Sequence, residues 1–449
     1  MREWQWLGRQ AGTVLVGQLA VMAFGVTDTV IAGRYSPQAL AVLAVATSIY
    51  VSIYVALNGV MQALLPVWAE LHGAGRPRAV GRSVRQALYL GAVLALAGMV
   101  VLGFPQPWLR WAEVPPALWP QVQAYLGVLA LALTPSLAFR MVSTLSQSLG
   151  QARLVTLLQA GGLAVKIPLS VFLTFGAGNW AGLGVVGCAW ATLAVQLLML
   201  AAGLALLATQ REFRPLRLWR RPERPDGRQL RRFVQLGVPA GLSVMVEVTS
   251  FTLMTLFMAR LGQTALASHQ IAANLAAVLY MMPLAMGIAA SARTGYWLGA
   301  GEPQQARQTA WLGLRMALGT ALVSACMLVL LRAPLARAFS ADPVVAAMAA
   351  GWLLWVALYH VADAVQAVCA FLLRCWRITL SPLLIYAGLL WGLGLWGGYR
   401  LTYHGWGPWP AQPSVGSFWG AAVLALALVA VLFVWRLRRA MQQTATRNA

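Results

Sequence analysis

Long apolar segments separated by short polar stretches recur along the whole chain. Twelve of them reach the length of about 20 residues that a helix needs to cross the hydrocarbon core of a bilayer. They lie at 13–33, 40–67, 86–106, 119–144, 154–176, 184–208, 234–259, 267–292, 309–331, 345–373, 379–401 and 416–435. The pattern predicts an all-α integral membrane protein with twelve transmembrane helices. The first segment lacks the small-x-small cleavage site of a signal peptide, so we expect it to be retained as a helix.

The composition supports lipid as the solvent of this chain. Of its 449 residues, 60% are hydrophobic and 10% are charged, and the mean hydropathy is +0.70. A soluble protein has roughly 25% charged residues. The four cysteines, Cys188, Cys326, Cys369 and Cys375, lie in or beside apolar segments. This placement favours small core residues over disulfides or metal ligands.

The net charge of +22 could suggest a nucleic-acid partner, but the arginines alternate between loops. If the N-terminus is cytoplasmic, 26 basic residues fall on the cytoplasmic side and 6 on the outer side. This bias follows the positive-inside rule and predicts that both termini are cytoplasmic. The nine arginines between residues 211 and 232 are then expected to anchor the topology beside anionic membrane lipid, and no nucleic-acid partner is expected.

Two motifs recur at an offset of 226 residues. Arg34-x5-Leu40-Ala41 returns as Arg260-x5-Leu266-Ala267, and Gly73-Ala-Gly-x-Pro77 returns as Gly299-Ala-Gly-x-Pro303. The offset predicts two six-helix halves, 1–208 and 233–449, joined by a basic cytoplasmic linker at 209–232. Because six is an even number of crossings, both halves begin on the same side and the repeats are parallel. Two similar halves around a central cleft suit alternating access.

Four ionisable residues lie well inside apolar segments: Asp28, Lys166, Glu247 and Asp363. An ionised group at the centre of a bilayer costs about 2.5–3.5 kcal/mol, so such residues usually have a function. The alternative is structural, with Asp28 and Lys166 pairing to hold two helices together. The 226-residue offset does not relate these charges to one another, so the halves are expected to differ in chemistry.

Aromatic, thioether and polar side chains accompany the buried charges at helical spacing. One aromatic or methionine stripe alone would be packing, but two such stripes contain an acid, Asp363 in one and Glu247 in the other. Soft, aromatic surroundings of a carboxylate suit a flat lipophilic cation. The stripes are Trp352, Trp355, Tyr359, Asp363 and Gln366; Glu247, Phe251, Met254 and Met258; Tyr50, Tyr54, Asn58 and Met61; Gln159, Lys166, Ser170 and Thr174; and Gln18, Gly25 and Asp28.

The sequence has no Walker A motif, no GxSxG and no His/Cys cluster with metal spacing. We therefore expect no enzyme activity and no cofactor other than a coupling ion. Without a nucleotide site, an ion gradient must drive any transport.

Several segments resemble the MATE (multidrug and toxic compound extrusion) family. They are Leu236-Gly-Val-Pro-Ala-Gly-Leu-Ser243 with Glu247; Ala267-Ser-His-Gln-Ile-Ala272 with Asn274; Tyr280-Met-Met-Pro283; Asp28 in Thr27-Asp-Thr-Val-Ile-Ala-Gly33; Asp363-Ala-Val-Gln366 with Arg374; and Gly184-x2-Gly187-x2-Trp190-Ala-Thr192. The presence of both Glu247 and Asp363 resembles the NorM-type branch of the family.

The resemblance implies a multi-pass antiporter of the bacterial inner membrane that exports organic cations in exchange for Na⁺ or H⁺. It implies that Glu247 and Asp363 form the cation site of the C-terminal half, as Na⁺ ligands or proton acceptors, with Tyr280 close by. Asp28 would be the protonatable group of the N-terminal half. The low dielectric around a buried carboxylate also favours its proton-bound or cation-bound form. Lys166 departs from the family, which usually has asparagine there, and could modulate the site by neutralising Asp28.

These patterns predict a monomeric secondary active multidrug exporter. Its substrate cleft is predicted to be lined by Tyr50, Tyr54, Asn58, Phe251, Met254, Tyr359 and Gln366. One alternative is a flippase of the larger MOP group for a lipid-linked precursor, which predicts an arginine-lined cavity for phosphates. Another is a scaffold or channel. A scaffold has no need of three buried acids, and a channel would pass current without counter-ion exchange.

Overall fold

The computed structural model describes residues 2–111, 114–221, 223–405 and 410–447. Within these ranges twelve helices are long and apolar enough to cross a membrane, which confirms the predicted number. They are α1 (Glu3–Tyr35), α2 (Pro37–Gln62), α3 (Pro77–Gly103), α4 (Trp119–Ser148), α5 (Ala152–Phe175), α6 (Val186–Thr209), α7 (Gly227–Met258), α8 (Gln263–Gly299), α9 (Pro303–Phe339), α10 (Pro343–Cys375), α11 (Leu380–Tyr403) and α12 (Val415–Arg447). The described residues contain no β-strand beyond one isolated bridge between Ala177 and Trp180.

Two of the helices are irregular. The chain of α2 breaks at Ala63–Leu64 and continues as a short helix, Leu65–Gly73, because Pro66 lacks the N–H that would continue the hydrogen-bond ladder. Helix α11 is α-helical over Leu380–Tyr386, π-helical over Ala387–Gly397 and α-helical again over Gly398–Tyr403. A π-helical segment is rare and often marks a functional site.

The chain forms two compact units, the first made of residues 16–241. In this unit α4 lies at the centre and packs against α2, α3 and α6, while α5 packs against α6. Helix α4 is buried along most of its length, and Tyr125 is among the largest fully buried side chains.

The second unit, residues 1–15 and 242–449, repeats this arrangement. Helix α10 is central and packs against α8, α9 and α12, while α11 packs against α12. The turns of the repeated Gly-Ala-Gly motif also correspond, because Gly75 (φ +65°) and Gly301 (φ +78°) both adopt the left-handed conformation before a proline that begins the next helix. The duplicated scaffold inferred from the 226-residue offset is present in the fold.

Two helix starts belong to a different unit from the remainder of their helix. Residues 1–15 of α1 group with the second unit, where Leu7 is fully buried and Glu3 forms a bidentate pair with Arg293. Residues 227–241 of α7 group with the first unit, because Gly237 and Gly241 lie so close to Val60 that a Cβ on either would collide with it. The compact units therefore differ from the predicted halves, 1–208 and 233–449, at these helix starts. The predicted boundaries followed the repeat and not the packing of the helix ends.

The basic segment between α6 and α7 is held against α3. A 3₁₀ turn, Arg211–Leu216, buries Phe213 and Leu216. Arg85 of α3 donates to the Glu223 carboxylate (Nε–Oε2 2.9 Å) and to the Arg217 carbonyl (2.8 Å). All nine arginines of residues 211–232 are nevertheless exposed. The segment is thus a fixed, positively charged surface and not a loose tether.

Candidate cation and substrate sites

The first charged site joins α1, α5 and α6 within the unit of residues 16–241. Lys166 Nζ lies 2.8 Å from Asp28 Oδ1 and 2.9 Å from Oδ2. It also lies 2.6 Å from Thr192 Oγ1 and 3.3 Å from the Cys188 carbonyl oxygen. The structure thus shows that the only lysine of the sequence pairs with the buried acid of α1.

The predicted polar face of α5 explains how Lys166 reaches this place. Gln159, Lys166, Ser170 and Thr174 are all buried on one side of the helix, as their spacing predicts. An ammonium group has three N–H donors, and here both Asp28 oxygens, Thr192 and Cys188 supply the acceptors. The site is therefore self-contained, with a tethered cation already bound to its carboxylate.

Gly25 does not share this site, contrary to the stripe predicted for α1. It is exposed, and a Cβ on it would meet no atom within 4 Å. The close helix approach occurs at Gly17, where a Cβ would collide with Gln159. Eleven residues complete about three helical turns, so Gly17 lies in line with Asp28, whereas Gly25 is rotated away from that line.

The second charged site joins α7 and α10 within the other unit. Gln366 Nε2 lies 2.9 Å from Glu247 Oε1 and 2.8 Å from Asp363 Oδ1. Because the same amide nitrogen contacts both carboxylates, the two acids are neighbours that share a single hydrogen-bond donor group. Gln366, predicted to line the substrate cleft, is fully buried and bridges the acids.

Among the described residues, neither acid of this site has a basic partner in contact. In the described part of the chain the ion pairs involve Asp28, Glu223, Asp226 and Glu3, and neither Glu247 nor Asp363. Arg374 follows Asp363 by eleven residues on α10, and its guanidinium lies over the Phe371 ring at 4.4 Å. Two carboxylates this close repel each other unless a proton or cation lies between them.

Helix α11 completes this site, which the sequence patterns did not predict. The Tyr386 hydroxyl donates to Gln366 Oε1, and Trp391 Nε1 donates to the Val246 carbonyl at 3.2 Å. Tyr280, predicted to lie near the acids, belongs to α8, which packs against α10, and its contact with the acids stays a prediction. The three-residue spacing of Asp363 and Gln366 indicated their shared face. Helix α11 contains no acid and no repeated motif in the sequence, so no pattern pointed to Tyr386 as part of the site.

Aromatic rings lie next to the acid-bearing faces, as the stripes predicted. Phe251 of α7 and Tyr359 of α10 meet edge to face at a centroid distance of 5.4 Å. Trp419 of α12 contacts both rings, at 6.1 Å and 5.8 Å, and was not among the predicted residues. Met254, from the same stripe of α7, is buried in the hydrophobic core of this unit.

The stripe of α2 belongs to the other unit. Tyr50 and Tyr54 stack with a centroid distance of 5.5 Å and an interplanar angle of 10°. Asn58 Oδ1 is buried without a hydrogen-bond partner in the described part of the chain. The stacking places Tyr50 and Tyr54 on one face of α2, and the contact of this stripe with a substrate stays a prediction.

A duplicated helical bundle with unevenly distributed buried charges is the architecture of a membrane transporter. The MatE family profile matches residues 14–172 and 239–399 of the chain. The chain is 39% identical over 437 residues to a probable multidrug resistance protein NorM of Aromatoleum aromaticum, covering 97% of this chain and 94% of that protein. It is 34% identical over 430 residues to the multidrug resistance protein PmpM of Pseudomonas aeruginosa, covering 96% and 90%.

Solved structures agree at the level of the fold. The crystal structure of the eukaryotic MATE transporter AtDTX14 superposes with a TM-score of 0.87 at 17% identity, covering 98% of this chain and 99% of that one. The chain belongs to the MATE family of multi-pass membrane transporters and is of the NorM type.

Proposed function

We propose that this protein is a secondary active multidrug exporter that expels lipophilic organic cations in exchange for H⁺ or Na⁺ by alternating access. The observation that carries the proposal is the pair of acids Glu247 and Asp363, which share the amide of Gln366 and form no ion pair with a basic residue in the described part of the chain. The names of the relatives, multidrug resistance proteins NorM and PmpM, support the substrate class.

The chemistry of exchange follows from the charge of the acid pair. Two buried carboxylates bind one cation strongly, and a proton, a sodium ion or an organic cation can each fill that place. The aromatic group of Phe251, Tyr359 and Trp419 can favour an organic cation through dispersion and cation–π attraction. Competition between a coupling ion and a drug for the same charge couples their movements.

The available energy is sufficient for export. One net charge that crosses a membrane at 100 mV contributes about 2.3 kcal/mol. This energy supports a concentration gradient of roughly fifty-fold.

The N-terminal acid has a different role in this proposal. Lys166 occupies the position of a coupling cation beside Asp28, so this site is not a sodium site. Protonation of Asp28 would release the lysine, and a protonation cycle here would move the ammonium between partners. Lys166 therefore modulates the coupling and does not bind the drug.

The placement in the cell completes the proposal. The protein lies in the inner membrane of a bacterium as a monomer, with both termini and the basic linker on the cytoplasmic side. The exposed arginines of residues 211–232 and Trp219, which is 63% exposed, suit anionic lipid head groups and the membrane interface.

The proposal is tested with the purified protein in proteoliposomes loaded with a fluorescent organic cation. Efflux is measured under an imposed pH gradient alone and under an imposed sodium gradient alone. We expect at least one gradient to drive efflux, and absence of efflux under both would refute the exchange mechanism. The Lys166→Asn variant is measured alongside it, and we expect an altered response to the two ions. An unchanged preference would show that Lys166 does not modulate the coupling.

A further inference from the structure

The amide of Gln366 has a defined orientation because each of its ends has a different kind of partner. Its nitrogen faces two carboxylate oxygens, at 2.9 Å on Glu247 and 2.8 Å on Asp363. Its oxygen accepts the hydrogen bond of the Tyr386 hydroxyl. A primary amide has two N–H donors and one carbonyl acceptor, so this arrangement satisfies both ends.

The π-helical segment of α11 gives this helix two contacts with the site. Tyr386 directly precedes that segment, and Trp391 lies five residues later, inside it. In an α-helix, residues five apart point about 140° away from each other. A π-helix, with its i→i+5 hydrogen bonds, has more residues per turn than an α-helix. Residues five apart in it therefore point towards the same side of the helix. Tyr386 can therefore hold Gln366 while Trp391 holds the backbone of α7 beside Glu247.

The orientation of the amide affects which cation the acids can bind. Hard metal cations take oxygen ligands, and their sites are built from carboxylates and carbonyls. In this structure the amide presents its N–H groups to the carboxylates, where they use lone pairs that a metal would need. If the amide turned over, its carbonyl oxygen would join the two carboxylates as a third ligand. A proton needs no set of oxygen ligands and binds in either orientation.

We propose that Tyr386 is a specificity-determining residue of the Glu247–Asp363 site, because its hydroxyl holds the Gln366 amide in the orientation that disfavours sodium. Tyr386 acts through Gln366 and touches neither acid in a hydrogen bond of the described structure. The inference rests on the proposed function in that it takes these acids to be the cation site.

The experiment is a sodium titration of the purified protein by radioactive ²²Na⁺ binding at fixed pH, without drug. Tyr386→Phe removes the hydroxyl and leaves the ring. We expect sodium to bind this variant about tenfold more tightly than the wild type, which corresponds to about 1.4 kcal/mol. Tyr403→Phe is the matched control, because the Tyr403 hydroxyl, on the same helix, donates to the Phe257 carbonyl at 2.7 Å. This control should bind sodium as the wild type does.

A second variant tests the amide directly. Gln366→Leu removes the N–H donors without supplying a carbonyl, so its sodium affinity should lie between those of the wild type and Tyr386→Phe. Adding Tyr386→Phe to Gln366→Leu should then change nothing, because the tyrosine has no amide left to orient. If Tyr386→Phe does not fold, the test rests on Gln366→Leu alone. A sodium affinity of Gln366→Leu equal to that of the wild type then overturns the proposal.

The outcome is separable from that of the proposed function. Equal sodium affinity in wild type, Tyr386→Phe and Gln366→Leu would refute the role of Tyr386, even if drug efflux proceeds normally. Loss of the proposed exchange mechanism would instead appear as a lack of efflux under both gradients.

Discussion

The buried pair of Asp28 and Lys166 allows a quantitative prediction. Its side chains are 10% and 0% exposed, and the ammonium contacts both carboxylate oxygens. Lys166→Met would leave the carboxylate buried without its counter-ion, and Asp28→Asn would leave the ammonium in the same state. Removing one partner of a buried ion pair costs about 3–5 kcal/mol of stability. Each single variant should lose about this much free energy of unfolding.

The double variant, Asp28→Asn with Lys166→Met, should lose much less than the sum of the two. It leaves no buried charge, and replacing a whole buried pair by neutral groups is often close to neutral. We expect a non-additivity of more than about 3 kcal/mol, above the range usual for residues in direct contact, because two single losses of about 3–5 kcal/mol each give way to a small loss in the double variant.

The assay is equilibrium unfolding in mixed lipid–detergent micelles, followed by circular dichroism. Arg82→Gln is the control, because the Arg82–Asp226 pair is exposed and its closest atoms are 3.8 Å apart. Such a surface pair contributes about 0–1 kcal/mol. If the Lys166 and Asp28 single variants lose no more stability than this control, or if their effects add, the argument for a tightly coupled pair is refuted.

Three further predictions concern the basic segment of residues 211–232. Gly81→Ala would bring a Cβ into collision with the Leu216 carbonyl and should loosen the segment, so that trypsin cuts at its arginines faster, whereas Gly161→Ala, with open space around it, should not change the rate. The Arg85 guanidinium lowers the pKa of Glu223 from 4.5 to about 2. The stabilising contribution of the Arg85–Glu223 pair is therefore complete above pH 4.5 and lost as the pH falls towards 2. The protection factors of the amides in the segment, corrected for the pH dependence of intrinsic exchange, should fall over that range and should not fall in Glu223→Gln. Replacing Arg220, Arg221 and Arg224 by glutamine should weaken the preference of the reconstituted protein for phosphatidylglycerol over phosphatidylcholine neighbours by up to about 3 kcal/mol, or roughly a hundredfold, because each arginine near an anionic surface contributes about 1 kcal/mol. Trypsin that cuts Gly81→Ala no faster than wild type, protection factors that do not change with pH, or equal lipid affinity would contradict these predictions in turn.

The twelve helices could be predicted because the property that makes a segment span the membrane depends only on the residues of that segment. A membrane-spanning helix must be apolar over about 20 residues, and the chain shows this directly. The contacts of Gln366 with Asp363, three residues earlier, also follow from helical spacing. Because both acids were assigned to one site and Gln366 shares a face with Asp363, the contact of Gln366 with Glu247 could also have been predicted. Gln366 was instead predicted to face the substrate.

The roles of Tyr386 and Trp419 and the pairing of Asp28 with Lys166 depend on contacts between helices, which the sequence pattern does not reveal. Tyr386 precedes a π-helical stretch, so the usual 3.6-residue period does not describe which side of α11 it occupies. Trp419 looks like one of many apolar residues in α12 until it meets Phe251 and Tyr359. The pairing of Asp28 with Lys166 was an open alternative, because their helices are far apart in the chain and only the fold brings them together.

The proposal that the Glu247–Asp363 pair is the exchange site is tested most directly by Glu247→Gln. This variant keeps the size of the side chain and removes one of the two negative charges that share Gln366. The measurement is efflux of an organic cation from proteoliposomes under the gradient that drives the wild type, with thermal unfolding as a check of the fold. We expect efflux to be abolished while the melting temperature stays close to that of the wild type. Normal efflux by a folded Glu247→Gln protein would contradict the central role of this carboxylate.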